Sequence, residues 1–116
     1  MNTAHHYILS IPLNIDDVDN IPEGVLWEDI QFEEYRITKE DYDNLFHLFC
    51  MFDEPFDIII DEEEEEIIPA SGVQTAIEMT ENYAANATPE IRTSAEKLLA
   101  AFRRAKELGK QVLLSF

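Results

Sequence analysis

Asp61 is followed without a break by the five glutamates Glu62–Glu66. Adjacent carboxylates repel one another, so this stretch cannot drive folding and has to lie where water reaches it. The core must therefore be assembled from the segments on either side. Just before the run, Ile58, Ile59 and Ile60 place three β-branched residues together after the Pro55 turn. That pattern predicts a buried strand, Phe56–Ile60, which hands the chain straight into the acidic stretch.

The charge is segregated. Of the 116 residues, 14–66 hold twenty acids and two bases, Arg36 and Lys39, a net of −18. Residues 67–116 hold five acids and six bases, a net of +1. An acidic half beside a near-neutral half exceeds what solubility alone requires. Phosphates would be repelled, so direct nucleic-acid binding is disfavoured and a basic partner is favoured.

The length suits a single domain, 1–116, with its own core. Cys50 has no second cysteine to pair with, which fits a reducing compartment, and its neighbours Phe49, Met51 and Phe52 predict a buried, inert thiol. Residues 1–6 carry no Lys or Arg, and the apolar stretch Tyr7–Leu13 is broken by Ser10 and Pro12, so no secretory signal is read. Nothing approaches the roughly 18 apolar residues of a membrane span. A soluble, cytoplasmic protein is expected.

Along the chain, His6–Ile11 predicts a first strand ended by Pro12. Asn14–Gly24 is a turn-rich loop; its Asp16, Asp17 and Asp19 lack the glycine and closing glutamate that a calcium loop needs. Val25–Ile37 fits a strand or a helical turn. Within it, Trp27 between Glu28 and Asp29 reads either as core packing or as an interface anchor. Thr38 is a helix N-cap, and Tyr42, Leu45, Phe46 and Phe49 form an apolar stripe that Pro55 closes. Ser71 and Gln74 form a capping box for a second helix lined by Val73, Ala76, Ile77, Thr80, Tyr83 and Ala84. Thr88-Pro89 starts a third, with Ile91, Ala95, Leu98, Leu99, Phe102 and Ala105 inward and Gly109 as its stop. Gln111–Phe116 is a final strand. Strands separated by helices predict an α/β fold: a small three- to four-stranded, mostly parallel sheet packed with about three helices.

No catalytic pattern emerges. Carboxylates are abundant, but no pair is singled out; His47 and Cys50, three apart on one helix, are too few ligands for zinc. The adjacent His5 and His6 on a strand point to opposite faces. The three glycines, Gly24, Gly72 and Gly109, form no phosphate-binding loop. No enzyme, cofactor or metal is predicted.

Two stretches carry a family resemblance. Ser94–Phe116, SAEKLLAAFRRAKELGKQVLLSF, resembles the last helix and strand of the barstar family of intracellular ribonuclease inhibitors. The Phe102-Arg-x-Ala-Lys106 run, Gly109 and the closing strand are the shared features. Asp43–Ile60 is similar too, through Asp43, the Leu45–Phe46 pair and Glu54-Pro55-Phe56. The resemblance implies a bacterial immunity protein, a small acidic domain that plugs the basic cleft of a nuclease toxin. Asp43 keeps one of that family's inhibitory carboxylates, whereas His47 and Arg104 replace two others. Immunity proteins of contact-dependent growth inhibition fit the description best.

The expected function is therefore an antitoxin whose acidic half occupies a cationic cleft. Its candidate contacts are Asp43, Asp53, Glu54, Asp57, Asp61, Glu62, Glu63, Glu64, Glu65 and Glu66, with Trp27 or Tyr42 as anchors. The alternatives are a DNA mimic and an ordinary enzyme or metal-dependent protein.

Overall fold

The computed structural model describes residues 6–116. Its first strand, β1 (Tyr7–Pro12), turns Tyr7, Leu9 and Ile11 to one side, where all three are buried. A long loop through the 3-10 turn Trp27–Asp29 leads to β2 (Phe32–Ile37), which lies antiparallel beside β1. The loop is clamped at its base: Asn14 accepts from the Gln31 amide at 2.8 Å and donates to the Asp29 carbonyl at 2.9 Å.

Thr38 caps α1 (Lys39–Asn44) by accepting from the Asp41 amide at 3.0 Å, while Asp41 accepts in return from the Thr38 amide at 2.9 Å. The chain bends at Leu45 and continues as α2 (Phe46–Phe56). Then come an extended stretch, β3 (Glu65–Ile68), α3 (Val73–Ala85), α4 (Pro89–Leu108) and β4 (Val112–Ser115). Thr88 and Gly109 bracket α4, Gly109 in the left-handed region at φ 67°.

The sheet order is β2-β1-β4-β3, and all three pairings are antiparallel. This overturns the mostly parallel sheet with about three helices that the sequence predicts. The connections explain it. β1 and β2 are joined by a loop with no crossover helix, so they return on each other. Between β3 and β4 the chain runs out along α3 and back along α4. A pair of helices brings it to the end it left, and β4 descends where a single helix would have made it parallel.

Helices cover one face of the sheet. Leu9, Ile11, Ile68, Val112 and Leu114 meet Leu45, Phe49, Phe52, Ala76, Leu98 and Phe102 there. The β1–β2 loop covers the other face with a smaller cluster, Ile15, Val18, Ile30 and Leu113, backed by Ile67 and Phe32. Gln111, itself buried, accepts from the Val18 amide at 2.9 Å, and Lys110 reaches Asp16 at 2.7 Å, so the start of β4 holds the loop down.

Several local expectations change. Ile58–Ile60 joins no ladder: Ile58 and Ile60 insert into the core from an extended segment, while Ile59 is 70 % exposed. The strand that does pair starts inside the acidic run, because Ile67 and Ile68 match Leu113 and Val112 across β4. Pro55 lies within the last turn of α2, where only one intrahelical bond is lost. Cys50 is exposed, since Phe49 and Phe52 take the inward face of that helix. Phe46 is rotated outward by the bend at Leu45. Ser71 lies in a 3-10 turn, Ala70–Gly72, and makes no cap; Gly72 holds that position.

Candidate functional site

Four helices and both sheet faces leave the acidic run at the β3 edge of the molecule. Asp57 ends α2 in the left-handed region at φ 52°, donating its amide to the Asp53 carbonyl. Asp61 then accepts from the Glu62 amide at 2.8 Å, and the Glu64 amide closes a turn on the Asp61 carbonyl at 3.3 Å. Glu63, at φ 66°, carries the chain through that turn into β3. The result is a hairpin-like bend whose two arms do not pair. Between them lies a groove of about 390 Å³ lined by Asp57, Ile58, Ile59, Asp61, Glu64 and Glu66. A second groove of about 210 Å³ lies beside it, lined by Glu63, Glu64, Glu65, His6, Ser115 and Phe116.

Glu62 is the exception within the run. It accepts from the Tyr7 hydroxyl at 2.6 Å and lies 3.6 Å from Lys39, which also binds Asp43 at 2.9 Å. Burial, and then this bond to Glu62, pushes the Tyr7 hydroxyl up to about 12. The bond to Asp43 raises the Lys39 ammonium, helped by Glu62. Among the described residues, Asp53, Glu54, Asp57, Asp61 and Glu63–Glu66 form no salt bridge with Lys or Arg.

The bases are committed elsewhere. Arg36 pairs with Glu34, Lys97 with Asp41, Arg103 with Glu81, Arg104 with Glu33 and Glu107, and Lys110 with Asp16. Lys106 donates to Gln74 and Arg92 to the Ala87 carbonyl. Among the described residues, Lys39 is thus the one Lys or Arg with an ion pair to the run.

The remaining candidates fall apart in space. Tyr42 is 3 % exposed, packed among Tyr7, Phe46, Phe49 and Phe116, so it offers no surface to a partner. Its buried hydroxyl has no hydrogen-bond partner among the described residues, and burial, then Asp61 and Glu62, raises its pKa. Asp53 is half-buried on α2, with one carboxylate oxygen likewise unpartnered, and Glu54 is exposed in the last turn. Trp27 is 53 % exposed on the loop side, its ring 5.5 Å from Phe32, and lines neither groove. Its core reading is corrected accordingly.

Sequence reasoning missed the roles of Tyr7 and Lys39 and the exposure of Ile59. Tyr7 and Glu62 are 55 positions apart, and no local pattern links them. Among the described residues, no three His, Cys, Asp or Glu side chains converge as metal ligands would. His5 lies outside the described residues, and the His6 ring nitrogen is 3.2 Å from Arg36. No described helix is long and apolar enough to cross a membrane. Comparison with known protein families, curated proteins and solved structures finds no match.

Proposed function

We propose that this chain is an immunity-type binding protein that neutralises a toxin domain with a basic cleft, a nuclease being the expected class, inside the cell that makes both. One observation carries the reading: Asp57, Asp61, Glu64 and Glu66 line one groove and form no salt bridge among the described residues, while Arg36, Lys97, Arg103, Arg104 and Lys110 pair with other carboxylates. Preformed, unneutralised carboxylates compete directly with phosphates for Lys and Arg, and close charge pairs across such interfaces are worth about 1.5–7 kcal/mol each. The barstar-like helix and closing strand of 94–116 point the same way.

The test is protection. Cells expressing the toxin domain encoded beside this chain's reading frame should survive when the chain is co-expressed. They should die when it carries Asp57→Asn, Asp61→Asn, Glu64→Gln and Glu66→Gln together. Survival with that variant, or death with the parent chain, overturns the proposal.

A second reading is a DNA mimic. The loop over the other sheet face adds exposed Asp19, Glu23 and Glu28, extending the negative surface beyond the β3 edge. Displacement of duplex DNA from a DNA-binding protein, without protection from a toxin, would select it.

A further inference from the structure

Among the described residues, the sheet order leaves β2 and β3 each with an open side, and the two differ in charge. On β2 the carboxylates are already answered: Glu33 accepts from Tyr35 at 2.6 Å and from Arg104 at 3.1 Å, and Glu34 lies 3.6 Å from Arg36. On β3 the carboxylates of Glu65 and Glu66 have no such partner among the described residues.

The ladder's phase locates the open backbone groups. Glu65 lies opposite Ser115, and the Phe116 amide donates to the Glu64 carbonyl at 3.3 Å. Bonded and non-bonded pairs alternate along antiparallel strands, so Glu64, Glu66 and Ile68 turn their backbone groups toward β4. Glu65 and Ile67 turn theirs away. No backbone bond outside the ladder engages either residue among those described. Asp57–Ile59, across the groove, leaves them unpaired.

We infer that the open side of β3 receives an extended, basic segment of the partner as an added strand. Glu65 and Ile67 supply the backbone bonds, and the carboxylates on both sides of the strand hold the incoming Lys and Arg. This rests on the basic-partner reading above and adds the mode of recognition. Successive side chains of β3 alternate in face, with Glu66 lining one groove and Glu65 the other. An added strand therefore meets negative charge whichever way its side chains point. Charge also fixes the occupant. A second copy of this chain would set Glu65 and Glu66 against their own counterparts, which is repulsive. Exposed Ile59, on the far wall of the first groove, offers the apolar contact that anchors such a segment.

The probe is a synthetic peptide alternating Lys and Thr, titrated into the full chain at low salt. Binding should slow amide exchange at Glu65 and Ile67. Glu65→Pro removes one outward N–H at a position where an edge strand tolerates proline, and Glu65→Gln removes only the charge. The expected result is about tenfold weaker binding for Glu65→Pro, against about twofold for Glu65→Gln. Equal losses in the two variants, or unchanged exchange at Glu65 and Ile67 with peptide bound, overturn strand addition and leave the basic-partner reading standing. Should Glu65→Pro not fold, the exchange measurement on the parent chain decides. A peptide that fails to bind at all overturns both.

Discussion

Ser94 on α4 donates its hydroxyl to the carboxylate of Asp41 on α1 at 2.7 Å, and both side chains are buried. Lys97, one turn further along α4, reaches the other oxygen of Asp41 at 2.7 Å, and Asn44 donates to Ser94 at 3.1 Å. A helix-capping carboxylate is thus also the tie between two helices. Replacing Asp41 by Ala should cost about 1.5–3 kcal/mol, the usual range for hydrogen bonds to a charged group, while Lys97→Met, at a half-exposed site, should cost less. Urea unfolding of the two variants gives the comparison; equal losses would contradict the placement.

The same residue sets an acid limit. Burial alone would raise the Asp41 carboxyl from its ordinary 3.8, but Lys97, Ser94 and Thr38 outweigh this and hold it down at about 2. A lowered folded pKa contributes stability that is complete above the unfolded value and disappears as pH falls through the folded one. Stability should therefore drop between about pH 4 and pH 2. In Asp41→Asn that part of the slope should vanish.

At the alkaline end, Tyr7 has the opposite sign. Its hydroxyl, raised from 10.0 to about 12 by burial and by Glu62, stabilises the fold below the unfolded value, and that contribution is lost as pH rises through the folded one. Ultraviolet titration of Glu62→Gln should show one tyrosine ionising earlier than in the parent. An unchanged curve would remove Glu62 as a cause.

Tyr42 supplies a substitution expected to help. A buried hydroxyl without a partner costs about 1–3 kcal/mol, so Tyr42→Phe should leave stability unchanged or raise it by about 1 kcal/mol. A fall of that size would mean that the hydroxyl has a partner in solution.

Glu63–Glu66 should show strain of another kind. Changing all four to Gln should raise the melting temperature at low salt by a few degrees, since roughly 4–8 °C accompanies each kcal/mol in a domain of about 60–100 residues. The gain should shrink near 0.15 M salt, where charges are screened over about 8 Å. A salt-independent gain would point away from charge repulsion.

What the chain discloses beforehand follows from how local each signal is. Thr88, Pro89 and Gly109 act within one turn of their own positions, and α4 begins and ends where they say. Val73, Ala76, Ile77, Thr80 and Ala84 are buried as their spacing requires. The direction of β4 depends instead on the α3–α4 pair, which no single window contains. β3 was hidden for a different reason: its first two residues are glutamates, and its pairing is decided by Leu113 and Val112 more than forty positions away. The position of the acidic site was readable as a run of charge. That Glu62 is tied down by Tyr7 and Lys39, while its neighbours have no ion pair among the described residues, was not, because those contacts are tertiary.

The Asn14 clamp has a practical corollary. Asn14 fastens the loop's ends through Gln31 and Asp29, so an insertion between them leaves that closure in place. Gly24 is exposed there, at φ 88°, with open space around it. Lengthening a loop that is already closed adds only about 0.6 kcal/mol per doubling. An epitope or fluorophore tag grafted at Gly24 would therefore add little to the cost of closing the loop, giving a handle for following the protein in living cells.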